Sequence, residues 1–175
     1  MTAYLLLGCR TVIAVVFARS AWAKLRARRD FRSALRAMAV LPPRLNGAAA
    51  IGVPLAEALL ALLVWVPAPV TSWAFAATGG LIALFAAVLV RLLRQGADVS
   101  CPCFGASGVP VSRAHVARNL VLLAVAAAGL VAGAAPDPGS GPGTAGAVVV
   151  LLAAGFLSAL IIATDTLIEL FSTAR

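Results

Sequence analysis

An apolar stretch in the middle of the chain decides the fold: residues 73–93 read WAFAATGGLIALFAAVLVRLL. Its only charged side chain is Arg91, and a helix needs about 20 mainly apolar residues to cross the hydrocarbon core of a bilayer. Similar runs occupy residues 4–23, 47–66, 113–134 and 147–164. None of them alternates like a barrel strand, and backbone groups in lipid must be bonded within their own segment. Each run is therefore predicted to be a transmembrane helix.

The composition supports this prediction. The chain has 175 residues, of which 62% are hydrophobic and 11% charged, whereas soluble domains carry about 25% charged residues. The net charge of +8 comes from basic residues beside the apolar runs, a pattern of membrane topology rather than of nucleic-acid binding. The first run has no basic segment ahead of it, so we expect a span and not a cleavable signal peptide. These features predict a multi-pass protein of the cell membrane whose partner is the lipid bilayer, with no nucleic acid.

A basic amphipathic segment, Leu25 to Asn46, separates the first two runs. Four apolar residues recur in it at helical spacing, opposite its arginines: Phe31, Leu35, Met38 and Leu41. This pattern predicts a helix that lies in the headgroup plane, binds anionic lipid and is ended by Pro42-Pro43.

The predicted fold is all-α, a polytopic transmembrane helical bundle. Residues 1–134 form a four-helix membrane domain with the interfacial amphipathic helix after span one. Residues 135–146 are a Pro/Gly linker, and residues 147–175 add a fifth apolar helix and a tail. Because consecutive spans alternate in direction, the basic helix and the segment around residues 98–105 lie on the same face. Every Lys and Arg except Arg10 falls at or near that face, and the positive-inside rule places it in the cytoplasm.

The segment 98–105, DVSCPCFG, contains two of the three cysteines. Cys101 and Cys103 are separated by one proline, so a disulfide between them closes a small, strained ring that is easily reduced. Arg113 and Arg118 follow, and nearby cations favour the thiolate. The alternative is half of a soft-metal site, for which His115 is the nearest further ligand. Three ligands fall short of a closed zinc site, so no metal site is predicted.

Glu57 is the second candidate functional residue because it lies near the middle of a span. A carboxylate there is unfavourable unless it is neutral or paired. Arg10 and Arg19, on the neighbouring span, are the predicted partners, since long arginine side chains reach along a helix. Glu57 is then a packing ion pair, a proton carrier or an anchor for a small redox cofactor, of which a quinone is the example. No cofactor is fixed by these residues.

Four short motifs resemble the MauE/DoxX-like family of redox-associated membrane proteins, and the MauE branch in particular. They are FARSAWAKL at 17–25 with Lys24, LPP at 41–43, PLAE at 54–57, and CPCFG at 101–105 followed by Arg118-Asn119. The resemblance covers residues 1–134. It implies thiol–disulfide electron transfer with a thioredoxin-like partner, in support of the maturation of disulfide-containing proteins such as the small subunit of methylamine dehydrogenase.

On this interpretation Cys101 and Cys103 are the catalytic pair of a candidate thiol–disulfide oxidoreductase, and a quinone is a second electron partner. The supporting residues are Arg10, Arg19, Lys24, Glu57, Arg113, His115, Arg118 and Asn119. The family is also similar in helix layout to quinone-linked enzymes whose cysteines face outward, in conflict with the charge rule. Two rival functions remain: a non-catalytic scaffold for a redox partner, and a carrier of Cu(I) on the Cys-x-Cys pair.

Overall fold

The chain folds into six α-helices in the computed structural model, which describes residues 1–39, 41–95, 113–135 and 143–173. No strand occurs in these ranges. Five of the helices, all but the second, are long and apolar enough to cross a membrane, which confirms the all-α multi-pass fold. The helices are α1 (Thr2–Arg26), α2 (Arg28–Ala37), α3 (Asn46–Leu63), α4 (Val70–Arg94), α5 (Arg113–Ala134) and α6 (Thr144–Thr173).

The amphipathic helix is shorter than the sequence indicates. It is separated from α1 by Ala27 alone and ends at Ala37, nine residues before its predicted end, Asn46, which is the first residue of α3. Pro42 has no N–H to donate to a carbonyl one turn earlier, and its ring disfavours helical geometry at Leu41. The chain instead turns at Ala39, which adopts a positive φ of 48°. The proline pair therefore ends the helix about one turn before Pro42.

The turn between α3 and α4 is held by Thr71. Its hydroxyl donates to the backbone carbonyl of Val64 at 3.0 Å and accepts a hydrogen bond from the Arg10 guanidinium at 2.9 Å. Because Thr71 is in the first turn of α4, one buried hydroxyl joins α1, α4 and the end of α3. Pro67 and Pro69 lie in this turn, which begins after Leu63, earlier than the predicted Val66.

Small residues let the membrane helices approach closely. A Cβ added to Gly129 on α5 would lie 2.3 Å from Cε1 of Phe75 on α4, and one on Gly133 would lie 2.8 Å from Thr71 Cγ2. Lipid tails are as apolar as the side chains, so there is no hydrophobic driving force for helix association within the bilayer. Van der Waals contact between closely packed helices drives association instead. As a result α4 packs mainly against α5, while α1 packs mainly against α3 and α6.

The C-terminal helix α6 contacts α1 and α5. Its Ala154, Ser158 and Ile161 form one buried stripe. At its start, the N–H of Gly143 donates to the Tyr4 hydroxyl at 3.0 Å. The division of the chain after residue 134 stays a prediction. Of the predicted linker, residues 135–146, positions 136–142 lie outside the described residues, and α6 begins at Thr144, three residues before the predicted start at 147.

One end of the bundle is named the basic face here. It consists of the C-terminal ends of α1 and α4, the N-terminal ends of α3 and α5, and helix α2. The exposed arginines of this face include Arg26, Arg28, Arg29, Arg32, Arg36, Arg94 and Arg113. The residues between α4 and α5 are therefore attached to the bundle at this face.

Candidate functional site

A buried ion pair lies in the half of the bundle next to the basic face. The Lys24 ammonium of α1 donates to Oε1 of Glu57 on α3. Lys24 is 3% exposed and Glu57 1% exposed. A single unpaired charge at this depth is unfavourable, so the ammonium and the carboxylate stabilise each other inside the bilayer.

Lys24 points into the membrane rather than out of it. Its amine donates at 2.7 Å to the Ser20 hydroxyl, one turn closer to the middle of α1. Side chains on a helix lean toward its N-terminus, and the N-terminal direction of α1 leads away from the basic face. The Phe85 and Phe31 rings, with centroids 5.1 Å and 5.7 Å from the amine, give it additional cation–π contacts.

The partners predicted for Glu57 were wrong. Arg10 donates to Thr71 near the opposite end of the bundle, and Arg19 is exposed. The prediction assumed that a cation near the middle of α1 would reach Glu57. The cation is instead provided by Lys24, near the end of the helix, because Ser20 and Lys24 share a face at a spacing of four residues. That spacing, with the motif PLAE at 54–57, was the available signal.

The ion pair lines a cavity of about 200 Å³. The cavity lies between the α1–α3 pair and the α4–α5 pair, with α2 along one side, and most of its wall is apolar. The polar residues of the wall are Ser20, Lys24, Glu57, Arg118 and Asn119. Glu57 lines the cavity, and its Oε2 is a buried acceptor that has no hydrogen-bond partner among the described residues.

The apolar face of the amphipathic segment covers this cavity. Phe31, Leu35, Met38 and Leu41 all line it. These are the four residues whose spacing predicts an interfacial helix, but periodicity identifies only that a face is buried and not what it is buried against. Their role at the cavity was therefore not predictable from the sequence.

Helix α5 brings its buried polar residues to the same end of the bundle. His115, Arg118 and Asn119 belong to one buried stripe, and the latter two line the cavity. Arg113, at the first position of α5, is exposed. Five of the predicted supporting residues, Lys24, Glu57, His115, Arg118 and Asn119, thus lie buried in this half of the bundle.

The predicted catalytic pair, Cys101 and Cys103, lies outside the described residues. The sequence joins it to Gln95 at the end of α4 and to Arg113 at the start of α5, both at the basic face. Cys9 is buried in the core of the bundle with Val12 and Ile13, as expected of a small apolar residue in a span.

Apolar helices packed around a buried ion pair and a cavity define this chain as a multi-pass membrane protein of the helical-bundle class. The chain belongs to the MauE family: the family model "Methylamine utilisation protein MauE" matches residues 2–132. That match ends two residues before the end of α5.

Two curated relatives carry the same description. Methylamine utilization protein MauE of Paracoccus denitrificans is 37% identical over 122 residues, which are 68% of this chain and 64% of that protein. Its namesake in Paracoccus versutus is 32% identical over 131 residues, 73% of this chain and 70% of that protein. The chain thus spans less than two thirds of the first relative's length. No solved structure matches the chain.

Proposed function

We propose that this chain is a membrane thiol–disulfide redox protein in which Cys101 and Cys103 exchange electrons with a thioredoxin-like partner. Its role is to support the maturation of disulfide-containing proteins, of the methylamine dehydrogenase type, in methylamine utilisation. The process is suggested by the names of its relatives, and the chemistry by the Cys-Pro-Cys sequence.

The observation that carries the proposal is the attachment of the Cys-Pro-Cys segment to two basic helix ends. Arg91 and Arg94 are in the last turn of α4, and Arg113 begins α5. Positive charge and a helix N-terminus both favour the thiolate, which is the reactive form of cysteine. Two cysteines one residue apart at such a position are suited to thiol–disulfide exchange.

The proposed reaction needs only the two redox pairs. A thiolate of the reduced chain attacks the disulfide of the partner, a mixed disulfide forms, and one partner sulfur leaves as a thiolate. The second cysteine then attacks the mixed disulfide and releases the partner as a dithiol. Two electrons and two protons pass to the partner, and the reverse direction uses the same steps.

Trapping of the mixed disulfide tests this proposal. In a Cys9→Ser background, Cys101→Ser and Cys103→Ser variants are incubated with an oxidised thioredoxin-like protein and separated without reductant. One single variant should accumulate a covalent complex that dithiothreitol dissolves, because its resolving cysteine is missing. The Cys101→Ser/Cys103→Ser double variant is the matched control and should give none.

Two results would contradict the proposal. If neither single variant forms a complex while both support maturation in cells, the chain is a scaffold. If the purified chain carries stoichiometric copper that both variants lose, the pair is a metal ligand.

A further inference from the structure

We infer that the cavity beside the Lys24–Glu57 pair binds the ring of a lipid-soluble quinone. The redox step drawn from this inference rests on the proposed function, whereas binding itself does not. The inference assigns the ligand class and the residues that recognise it.

The cavity has the size and position of a ring-binding site. The cavity measures about 200 Å³ and is partly open to the outside of the bundle. It is smaller than the roughly 300–1,000 Å³ of pockets for drug-sized ligands, so it suits a single ring system. Leu84, one of its lining residues, is 59% exposed on the outer surface of the bundle. The cavity wall therefore reaches the lipid-facing surface at Leu84, where an apolar tail could extend into the bilayer.

The polar atoms of the wall restrict the chemistry of the occupant. Glu57 Oε2, which has no partner among the described residues, requires a hydroxyl or N–H donor. The Lys24 ammonium offers a hydrogen bond to a carbonyl. Phe31 of α2 and Phe85 of α4 also line the cavity, so part of its wall is aromatic and suits a flat ring. A hydroquinone hydroxyl matches the free carboxylate oxygen, and a quinone carbonyl matches the ammonium.

Other membrane components match less well. A phospholipid headgroup carries a phosphate that the Glu57 carboxylate repels and that the apolar wall does not solvate. An acyl chain fills apolar space but leaves Glu57 Oε2 without a donor. The quinone ring is therefore the occupant that satisfies both members of the ion pair and the apolar wall.

A quinone also balances the proposed redox reaction. In the reverse direction of the exchange, a partner dithiol reduces the disulfide of the chain and leaves oxidised. The two thiols of the chain then lose two electrons and two protons as their sulfur–sulfur bond forms again, and a quinone takes up those electrons and protons to become a hydroquinone. The Lys24 ammonium stabilises the negative charge that develops on the ring oxygen as electrons arrive. The net step needs no other co-reactant.

Binding of decylubiquinone and of menadione to the purified full chain in nanodiscs tests the inference. Saturable binding of one quinone per chain is expected. Ala49→Phe, on the cavity-lining face of α3, should lower the affinity by roughly tenfold or more, equivalent to about 1.4 kcal/mol. Ala48→Phe is the matched control, since Ala48 is exposed beside it and does not line the cavity, and it should bind like the native chain.

A second variant keeps the test independent of folding. Lys24→Gln/Glu57→Gln removes both charges; it keeps the side-chain length at residue 57 and shortens it by one bond at residue 24. Its thermal unfolding should stay close to that of the native chain, while quinone reduction per folded molecule should fall by roughly tenfold or more, again about 1.4 kcal/mol. Unchanged reduction would show that the pair does not recognise the ring.

The inference is overturned if neither quinone binds saturably, if both alanine variants lose affinity equally, or if a co-purified phospholipid is retained against excess quinone. Its failure is distinguishable from failure of the proposed function, because exchange with a thioredoxin-like partner is measured without quinone. Normal exchange with no quinone binding removes the inference alone. Normal quinone binding with no exchange removes the proposed function alone.

Discussion

At the residue scale, Lys24 and Glu57 are unstable apart and stable as a pair. Both are almost fully buried, and Ser20 supplies the amine with a further hydrogen bond. Removing one member of a buried pair leaves an uncompensated charge, which costs about 3–5 kcal/mol. Removing both charges avoids that penalty.

We therefore predict strong coupling in a double-mutant cycle. Lys24→Gln and Glu57→Gln should each lower the free energy of unfolding by about 3–5 kcal/mol, and the double variant by much less than their sum. Thermal unfolding in detergent, followed by circular dichroism, measures this. Arg19→Gln, at an exposed position of the same helix, is the control and should change little. Additive single effects would show that the charges do not compensate each other.

The sequence predicted Glu57 as a paired intramembrane carboxylate but not its partner. That Glu57 requires a cation follows from the bilayer alone, which is why the carboxylate could be selected. Which cation reaches it depends on the rotation and depth of α1 relative to α3, and those are set by packing. Lys24 was selected only through the motif at 17–25.

At the element scale, α4 and α5 approach so closely at Gly129 and Phe75 that no side chain fits at position 129. A Cβ on Gly129 would overlap the Phe75 ring, 2.3 Å from Cε1. Gly129→Ala should therefore destabilise the chain by about 1–3 kcal/mol, the usual effect of overpacking. Thermal unfolding measures it.

Gly80→Ala on α4 is the matched control for that variant. An added Cβ at Gly80 meets no atom of the described residues within 4 Å, so the substitution should be neutral or mildly stabilising. If Gly129→Ala is as well tolerated as Gly80→Ala, the two helices are not held by this contact.

The exposed side of α2 carries four arginines: Arg28, Arg29, Arg32 and Arg36. Each basic residue near an anionic surface contributes about 1 kcal/mol to lipid binding. Substituting all four by Gln should therefore reduce the phosphatidylglycerol that the purified chain retains, without changing retained phosphatidylcholine. Native mass spectrometry measures both.

Substituting the same four arginines by Lys keeps the charge and should keep the anionic lipid. Equal retention by the Gln variant would contradict an electrostatic role for α2. Loss of lipid in the Lys variant would contradict it as well, since charge would then not be the cause.

The spans were predictable because each depends on local composition, as residues 73–93 illustrate. Their ends were less so, because Pro42 and Pro67 disturb the backbone before the residue that carries the ring. The cavity was not predictable, since its wall combines residues of five helices between Val16 and Leu122. The amphipathic pattern of residues 31–41 indicated that one face of this segment is buried, but not that this face covers the cavity.

At the scale of the whole molecule, the charge distribution predicts how the bundle sits in the membrane. Among the Lys and Arg side chains of the described residues, Arg10 alone lies toward the end opposite the basic face. The positive-inside rule then places the basic face, with Cys101 and Cys103, in the cytoplasm. In intact cells a membrane-impermeant maleimide should leave these cysteines unlabelled, and in permeabilised cells it should label them.

Cys9 is buried in the bundle and should not react in either case. The Cys101→Ser/Cys103→Ser variant serves as the blank. Labelling in intact cells would place the basic face outside, in agreement with the outward cysteines of quinone-linked enzymes and with direct oxidation of secreted proteins. It would show that the charge rule does not orient this bundle.

The central claim is that Cys101 and Cys103 form a reversible redox couple. A disulfide across one intervening residue is expected to be strained, and the arginines at the ends of α4 and α5 are expected to favour the reduced thiolates; both effects would raise the reduction potential. The most direct measurement is a redox titration of the purified Cys9→Ser chain in glutathione buffers, read by the mass added on alkylation. We predict a reversible two-electron transition well above about −300 mV, the upper limit for inert structural disulfides. A potential below that limit, or a pair that stays reduced in every buffer while holding stoichiometric metal, would contradict the claim.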